Sequence, residues 1–317
     1  MEQIKLKNVD ETVSRMALGT MYFHTLVESK KSKEILDFYV DQGGNFIDTA
    51  NMYVSWIKGF EGGESERLIG EWMADRKIRD QMFLSTKVGL PMKDVPAGLK
   101  KDLIIRECEN SLRRLKVDTI DLYFAHREDN ETDLEETLEA FDILQRQGKI
   151  KYIGVSNHRS FRVAEANTIS HLKGYPRFTF AQYRYSYLRP KPGTPFESLD
   201  DTRMHATEDL LDYINQNDMN FMCYQTLLSG AYSNGDRSFP PEYIGPDSDE
   251  RLKVLREVTE ETGATINQVV LAWSMQNKMK AVPLISGSSI QQIKENIEAC
   301  QIELSPEQIQ RLNLAGN

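Results

Sequence analysis

Cysteine is scarce in this chain, and the little present can build nothing. Cys108, Cys223 and Cys300 are odd in number and far apart, so neither a disulfide framework nor a zinc-ligand spacing can be assembled from them. A reducing cytoplasm fits that usage. Long apolar runs are missing as well: no window approaches the ~18 apolar residues of a membrane span. The start, Met1-Glu2-Gln3-Ile4-Lys5, lacks the apolar stretch of a signal peptide. Positive charge is in deficit, with 39 basic against 48 acidic residues and a net charge of -9. That field repels phosphate backbones, no Lys/Arg run interleaved with aromatics offsets it, and the balance argues against nucleic acid as a partner. Histidine is sparse. His24, His126, His158, His171 and His205 are scattered with no His-x-His pair, which argues against a metal site and a metal-dependent hydrolase.

What is present is an ordinary globular composition, 40% hydrophobic and 27% charged. Short β-branched or apolar runs alternate with amphipathic helical patterns, as repeated βα units around a parallel sheet require. The strands read as Arg15–Gly19, Asn45–Thr49, Gln81–Lys87, Ile120–His126, Ile150–Ser156, Thr179–Gln182, Asn220–Tyr224 and Ala281–Ile285. Helical patterns between them include Glu64–Arg76, Leu103–Leu115, Leu134–Gln147, Thr207–Asn217 and Glu250–Thr262. Eight units also suit an open doubly wound sheet, but a dinucleotide-binding one needs Gly-x-Gly-x-x-Gly after its first strand, and none occurs. A single (β/α)8 barrel domain over residues 1–317 is therefore expected. Two stretches rich in Pro, Gly and Asp, Arg189–Thr202 and Asn234–Ser248, each follow a late strand. They read either as lids over the site or as plain surface insertions.

In such a barrel the strand ends carry the chemistry. The second strand closes on Asp48, with Tyr53 five residues later; the third ends on Lys87; the fourth ends on His126 after an apolar run. Reducing a carbonyl needs a proton on oxygen as hydride reaches carbon, and a Tyr with pKa ~10 is too weak an acid unless its anion is stabilised. Lys87 supplies that stabilisation in this reading, Asp48 keeps Lys87 charged, and His126 orients the carbonyl oxygen or relays the proton. Each residue also has a plain structural explanation: an ion pair at a barrel rim, a half-buried aromatic, a satisfied histidine. Their joint arrival at strand ends favours chemistry.

These segments resemble the aldo-keto reductase superfamily. Asp48-Thr49-Ala50-x-x-Tyr53, Ser85-Thr86-Lys87 and Ile120-Asp121-Leu122-Tyr123-x-x-His126 match that family's pattern for a catalytic tetrad, which falls on Asp48, Tyr53, Lys87 and His126. The resemblance runs from about Arg15 to the end, and Gly62-Gly63-Glu64-Ser65-Glu66 is typical of it. It implies that Ser156, Asn157 and Gln182 hold a nicotinamide carboxamide and that Tyr224 stacks on the ring. Leu227 and Ser229 then line the pyrophosphate, although Gln225-Thr226-Leu227-Leu228-Ser229-Gly230 departs from the family's Ser-Pro-Leu-Gly-x-Gly. Gly287, Ser288, Ser289, Gln292 and Asn296 grip the adenosine end. Many NADPH-specific relatives carry Lys and Arg where Ser286 and Gln292 stand, so NAD(P)H is the expected cofactor, with NADH use or a relaxed preference. Lys294 is the nearby cation that would restore phosphate binding. The substrate is expected to be an aldehyde, ketone or sugar carbonyl, with Tyr22, Phe23, Trp56, Arg127 and Tyr187 as pocket residues. The alternative is a non-catalytic nicotinamide-binding regulatory subunit. Oligomeric state is not legible.

Overall fold

The computed structural model describes residues 1–191, 205–233 and 238–317. An antiparallel hairpin, β1 (Gln3–Lys5) and β2 (Thr12–Ser14), precedes eight parallel strands. These are β3 (Ala17–Gly19), β4 (Phe46–Asp48), β5 (Phe83–Val88), β6 (Ile120–Ala125), β7 (Ile150–Ser156), β8 (Phe178–Arg184), β9 (Asn220–Tyr224) and β10 (Val282–Ile285). They close into a barrel in the order β10-β3-β4-β5-β6-β7-β8-β9. The expected eight strands and their order are all present. Successive strands alternate with α1 (Ser29–Asp41), α2 (Glu64–Arg76), α3 (Lys101–Leu115), α4 (Leu134–Arg146), α5 (Ser160–Lys173) and α6 (Glu208–Gln216). After β9 come α7 (Pro246–Thr262) and α8 (Ile266–Gln276), and after β10 come α9 (Ile290–Glu298) and α10 (Pro306–Leu314).

The two-residue period of the strands sorts the barrel interior into layers. At the N-terminal end, Ala17, Phe46, Phe83, Leu122, Phe124, Phe180, Met222 and Val282 pack with Val9 and Val13 of the hairpin segment. Gly154 is required here, because a Cβ would stand 2.3 Å from the Phe124 ring. The hairpin, which the sequence pattern does not announce, closes this end. One step further along the same strands the inward residues become Asp48, Ser85, Lys87 and Gln182, joined by hydrogen bonds. The outer faces of the strands pack on the helices in the main core.

Two helices lie outside the βα alternation. α7 and α10 pack against each other and against α8 over a second apolar cluster that includes Leu252, Leu255, Trp273 and Leu312. The helix expected from Glu250 begins at Pro246 instead, since Pro fits the first helical turn and Asp247 and Asp249 complement the helix dipole there. Of the expected lids, residues 192–202 and 234–237 lie outside the described residues. The rest of the second, from Ser238 to Ser248, forms a short turn at Pro241–Tyr243 and the start of α7. Among the described residues no helix is long and apolar enough to cross a membrane.

Candidate active site

Three consecutive strands bring polar residues to the open end. Asp48 closes β4, Lys87 lies in β5, and His126 follows β6, its amide bonded to the carbonyl of Val88 at 2.8 Å. The side chains of Asp48 and Lys87 are fully buried. Lys87 Nζ donates to Asp48 Oδ2 (2.5 Å), the Thr49 carbonyl (2.6 Å) and the Tyr53 hydroxyl (2.9 Å). An ammonium has three protons, and all three are committed. Asp48 Oδ1 accepts from Ser85 Oγ at 2.7 Å and Gln182 Nε2 at 3.0 Å. Burial pulls the pKa of Lys87 below its ordinary value, and the charge and hydrogen bond of Asp48 oppose that pull. Tyr53 and His126 are each 9% exposed, with ring centroids 6.2 Å apart and edge to face. The four residues expected to form one site therefore do meet.

A second group borders them. Asn157, in a left-handed backbone conformation, donates to the His126 carbonyl (2.9 Å) and to Ser156 Oγ (3.0 Å), and accepts from the Tyr224 hydroxyl (2.8 Å). Ser156 Oγ donates to the Gln182 carbonyl at 2.7 Å. Ser156, Asn157, Gln182 and Tyr224 thus form one network, tied to Asp48 through Gln182 and to His126 through Asn157. After β9, Gln225, Leu228 and Ser229 all adopt positive φ, and Ser229 Oγ donates to Gln225 Oε1 at 3.2 Å. Leu227 is half-buried against both apolar clusters.

The third group follows β10. Ser289 caps α9 by accepting from the Gln292 amide. Gln292 Oε1 accepts from the Ser288 amide at 2.7 Å, and a Cβ on Gly287 would stand 3.0 Å from Gln292 Cβ. Asn296 Nδ2 donates to the Ser286 carbonyl at 3.3 Å. Lys294 faces Glu298 at 3.9 Å.

Among the expected pocket residues, Tyr22 and Trp56 are 40% and 48% exposed on the loops after β3 and β4, and Arg127 is half-buried. Two others do not line a pocket. Phe23 is buried in the main core, and Tyr187 is buried edge-on to Trp273 with the Arg251 guanidinium over its ring. Both rings bury more apolar surface by turning inward than by facing the mouth. Ser85 joins the site without having been expected there. Its signal is the strand alternation, since it stands two residues before Lys87 and so shares its face.

The sequence pattern of the aldo/keto reductase family matches residues 15–316. The chain is 30% identical to an aryl-alcohol dehydrogenase (GME11368) of Pestalotiopsis microspora over 94% of this chain and 76% of the relative. It is 29% identical to the uncharacterized oxidoreductase YrpG of Bacillus subtilis over 99% and 95%, and 28% identical to norsolorinic acid reductase of Aspergillus flavus over 95% and 77%. With a match that begins at the first barrel strand and ends in the last residues, on a closed eight-stranded barrel, this chain belongs to the aldo/keto reductase family of oxidoreductases.

Proposed function

We propose that the protein is a nicotinamide-dependent carbonyl reductase in which Tyr53 transfers a proton to the substrate oxygen. The observation that carries this reading is the single ammonium of Lys87 bonded at once to Asp48 and to the Tyr53 hydroxyl. A phenol gives up its proton more readily when a cation stabilises the anion left behind, and general-acid assistance of this kind is worth roughly 10²–10⁴-fold. Asp48 offsets the burial that would otherwise strip Lys87 of its charge. His126, edge-on to Tyr53, orients the carbonyl oxygen.

The residues present fit a nicotinamide. Ser156, Asn157 and Gln182 offer a hydroxyl and two primary amides, the donor and acceptor set that a carboxamide complements, and Tyr224 offers a ring beside them. When bound, the dihydronicotinamide supplies the hydride that reduces the carbonyl carbon. We read the adenosine end as suited to NADH. Gln292 spends its side-chain oxygen on its own loop, Lys294 is drawn to Glu298, and Glu295 lies in the same turn, accepting from Thr265. A 2′-phosphate would find no dedicated cation among these residues. For the substrate we favour aromatic aldehydes, on the exposed rings of Tyr22 and Trp56 and the name of the Pestalotiopsis relative.

The test follows nicotinamide oxidation at 340 nm with NADH and NADPH in parallel, against aryl and alkyl aldehydes, ketones and keto-sugars. The expected result is turnover of aryl aldehydes with NADH, reduced ~10³-fold in Tyr53→Phe while cofactor affinity changes little. Retention of most of the rate by Tyr53→Phe would remove Tyr53 as the acid, and a large preference for NADPH would overturn the cofactor reading.

A further inference from the structure

Among the described residues, only three arginine side chains, Arg127, Arg177 and Arg256, enter neither an ion pair nor a hydrogen bond. Arg177 and Arg256 are exposed, where water satisfies a guanidinium at no cost. Arg127 is partly buried, and withdrawing a cation from water without a counter-charge is unfavourable. Its position is fixed by the backbone on either side. The His126 amide bonds to the Val88 carbonyl at 2.8 Å, and the Glu128 amide to the Asn157 carbonyl at 3.3 Å. The neighbouring carboxylates do not serve it. Glu128 is taken by the side chain and backbone amide of Arg159, and Asp129 by Thr132 and the amides of Leu99 and Glu131.

A cation held next to His126 with its local acids committed elsewhere is a receptor for an anion brought from outside. The cofactor's phosphates do not fit that role. The barrel order places β6, which precedes Arg127, four strands from β10 in either direction and three from β9, so Arg127 lies across the barrel from the adenosine loop after β10 and well apart from the loop after β9 read as lining the pyrophosphate. The reacting molecule is then the source of the charge. We propose that Arg127 is a specificity-determining residue that binds an anionic oxygen group of the substrate, so that the preferred substrate is a carbonyl compound that also bears a carboxylate or phosphate. This rests on the reductase reading above. Arg suits the task because its planar fork can pair with two oxygens of such a group.

The experiment compares matched pairs that differ in charge: 4-formylbenzoate with its methyl ester, and glyceraldehyde 3-phosphate with glyceraldehyde. The wild type is expected to favour the anionic member of at least one pair in kcat/KM by ~10- to 100-fold, chiefly through KM, and added salt should narrow the gap. Which pair shows the larger ratio tells carboxylate from phosphate. Arg127→Met should cost the anionic member at least tenfold more than the neutral one, and Arg127→Lys should restore part of the difference. Calorimetric binding of the unreactive dianion terephthalate should weaken in parallel in Arg127→Met. Equal kcat/KM within both wild-type pairs, or equal losses on both members in Arg127→Met, would overturn the proposal while leaving the reductase reading intact. Absence of turnover on all four compounds, with terephthalate bound equally by wild type and Arg127→Met, would overturn both.

Discussion

Both ends of the barrel bury a carboxylate against cations, yet they do so in different ways. At the closed end, Asp121 receives Arg79 at 2.7 Å, Lys151 at 2.8 Å and the Leu84 amide at 2.9 Å, and Lys151 continues to Glu11 at 2.7 Å. Here the carboxylate is buried but the cations are not: the side chain of Lys151 is 44% exposed and that of Arg79 26%. Their long stems let the charged heads reach water while they serve the acid. At the open end both partners, Asp48 and Lys87, are completely buried. The closed-end cluster spends its hydrogen bonds on fixing the hairpin and the strand starts. At the open end, one of the three ammonium protons goes to the Tyr53 hydroxyl, a phenol that borders the mouth. Burial of charge therefore does not mark function on its own. In the proposed reading, function belongs instead to a charge whose spare bond ends on a proton donor at the mouth.

The comparison breaks most sharply at Lys87. Lys87→Met leaves the buried Asp48 with the neutral donors Ser85, Gln182 and, at 3.5 Å, the Tyr53 hydroxyl, and it removes the support for a Tyr53 anion. The expected result is a fall in kcat of at least ~10²-fold together with a loss of about 3–5 kcal/mol in stability by denaturant titration. A stable, fully active variant would show that the pair does neither job. Asp121→Asn tests the other end. Because Arg79 and Lys151 already touch solvent, each can be rehydrated, so the loss should be smaller, about 1–3 kcal/mol. Turnover per folded molecule should stay at the wild-type value; a drop matching that of Lys87→Met would mean that the two ends are coupled.

Much of this arrangement is legible in the amino-acid sequence alone. Alternation along β5 puts Lys87 on the face that Ser85 shares, and the polar residue closing each of three apolar strands announces the open end. The hairpin is not legible, because strands of three residues such as Gln-Ile-Lys and Thr-Val-Ser carry too short a pattern to stand out from loop. Phe23 and Tyr187 escape for a different reason. Standing just after a strand locates a residue near the mouth, but the direction of its side chain is decided by the helices around it, and α7 and α8 offer Tyr187 an apolar site that local sequence does not reveal. The bonds tying Gln182 to Asp48 and Asn157 to His126 are long-range and follow from barrel closure, which no local pattern encodes.

His158 offers a third way of burying a polar side chain. It follows Asn157, is 3% exposed, and holds the Ser156 carbonyl with Nδ1 at 2.8 Å. Among the described residues no carboxylate bonds to it, and burial lowers its pKa from 6.5 to about 4. The native state therefore keeps the ring neutral while the unfolded chain binds a proton between these two values. Since the unfolded state then carries the extra proton, stability rises with pH across that window and is lost as the pH falls from 6.5 toward 4. The difference of about 2.5 units between the two values caps the loss at about 3 kcal/mol. Urea midpoints measured from pH 7 to pH 4 should drop less steeply in His158→Gln than in the wild type. His205, also held near 4, is present in both proteins and cancels from the difference. Parallel curves would mean that protonated His158 finds a partner in the folded state, and the neutral solution would then give way to the paired one seen at both ends of the barrel.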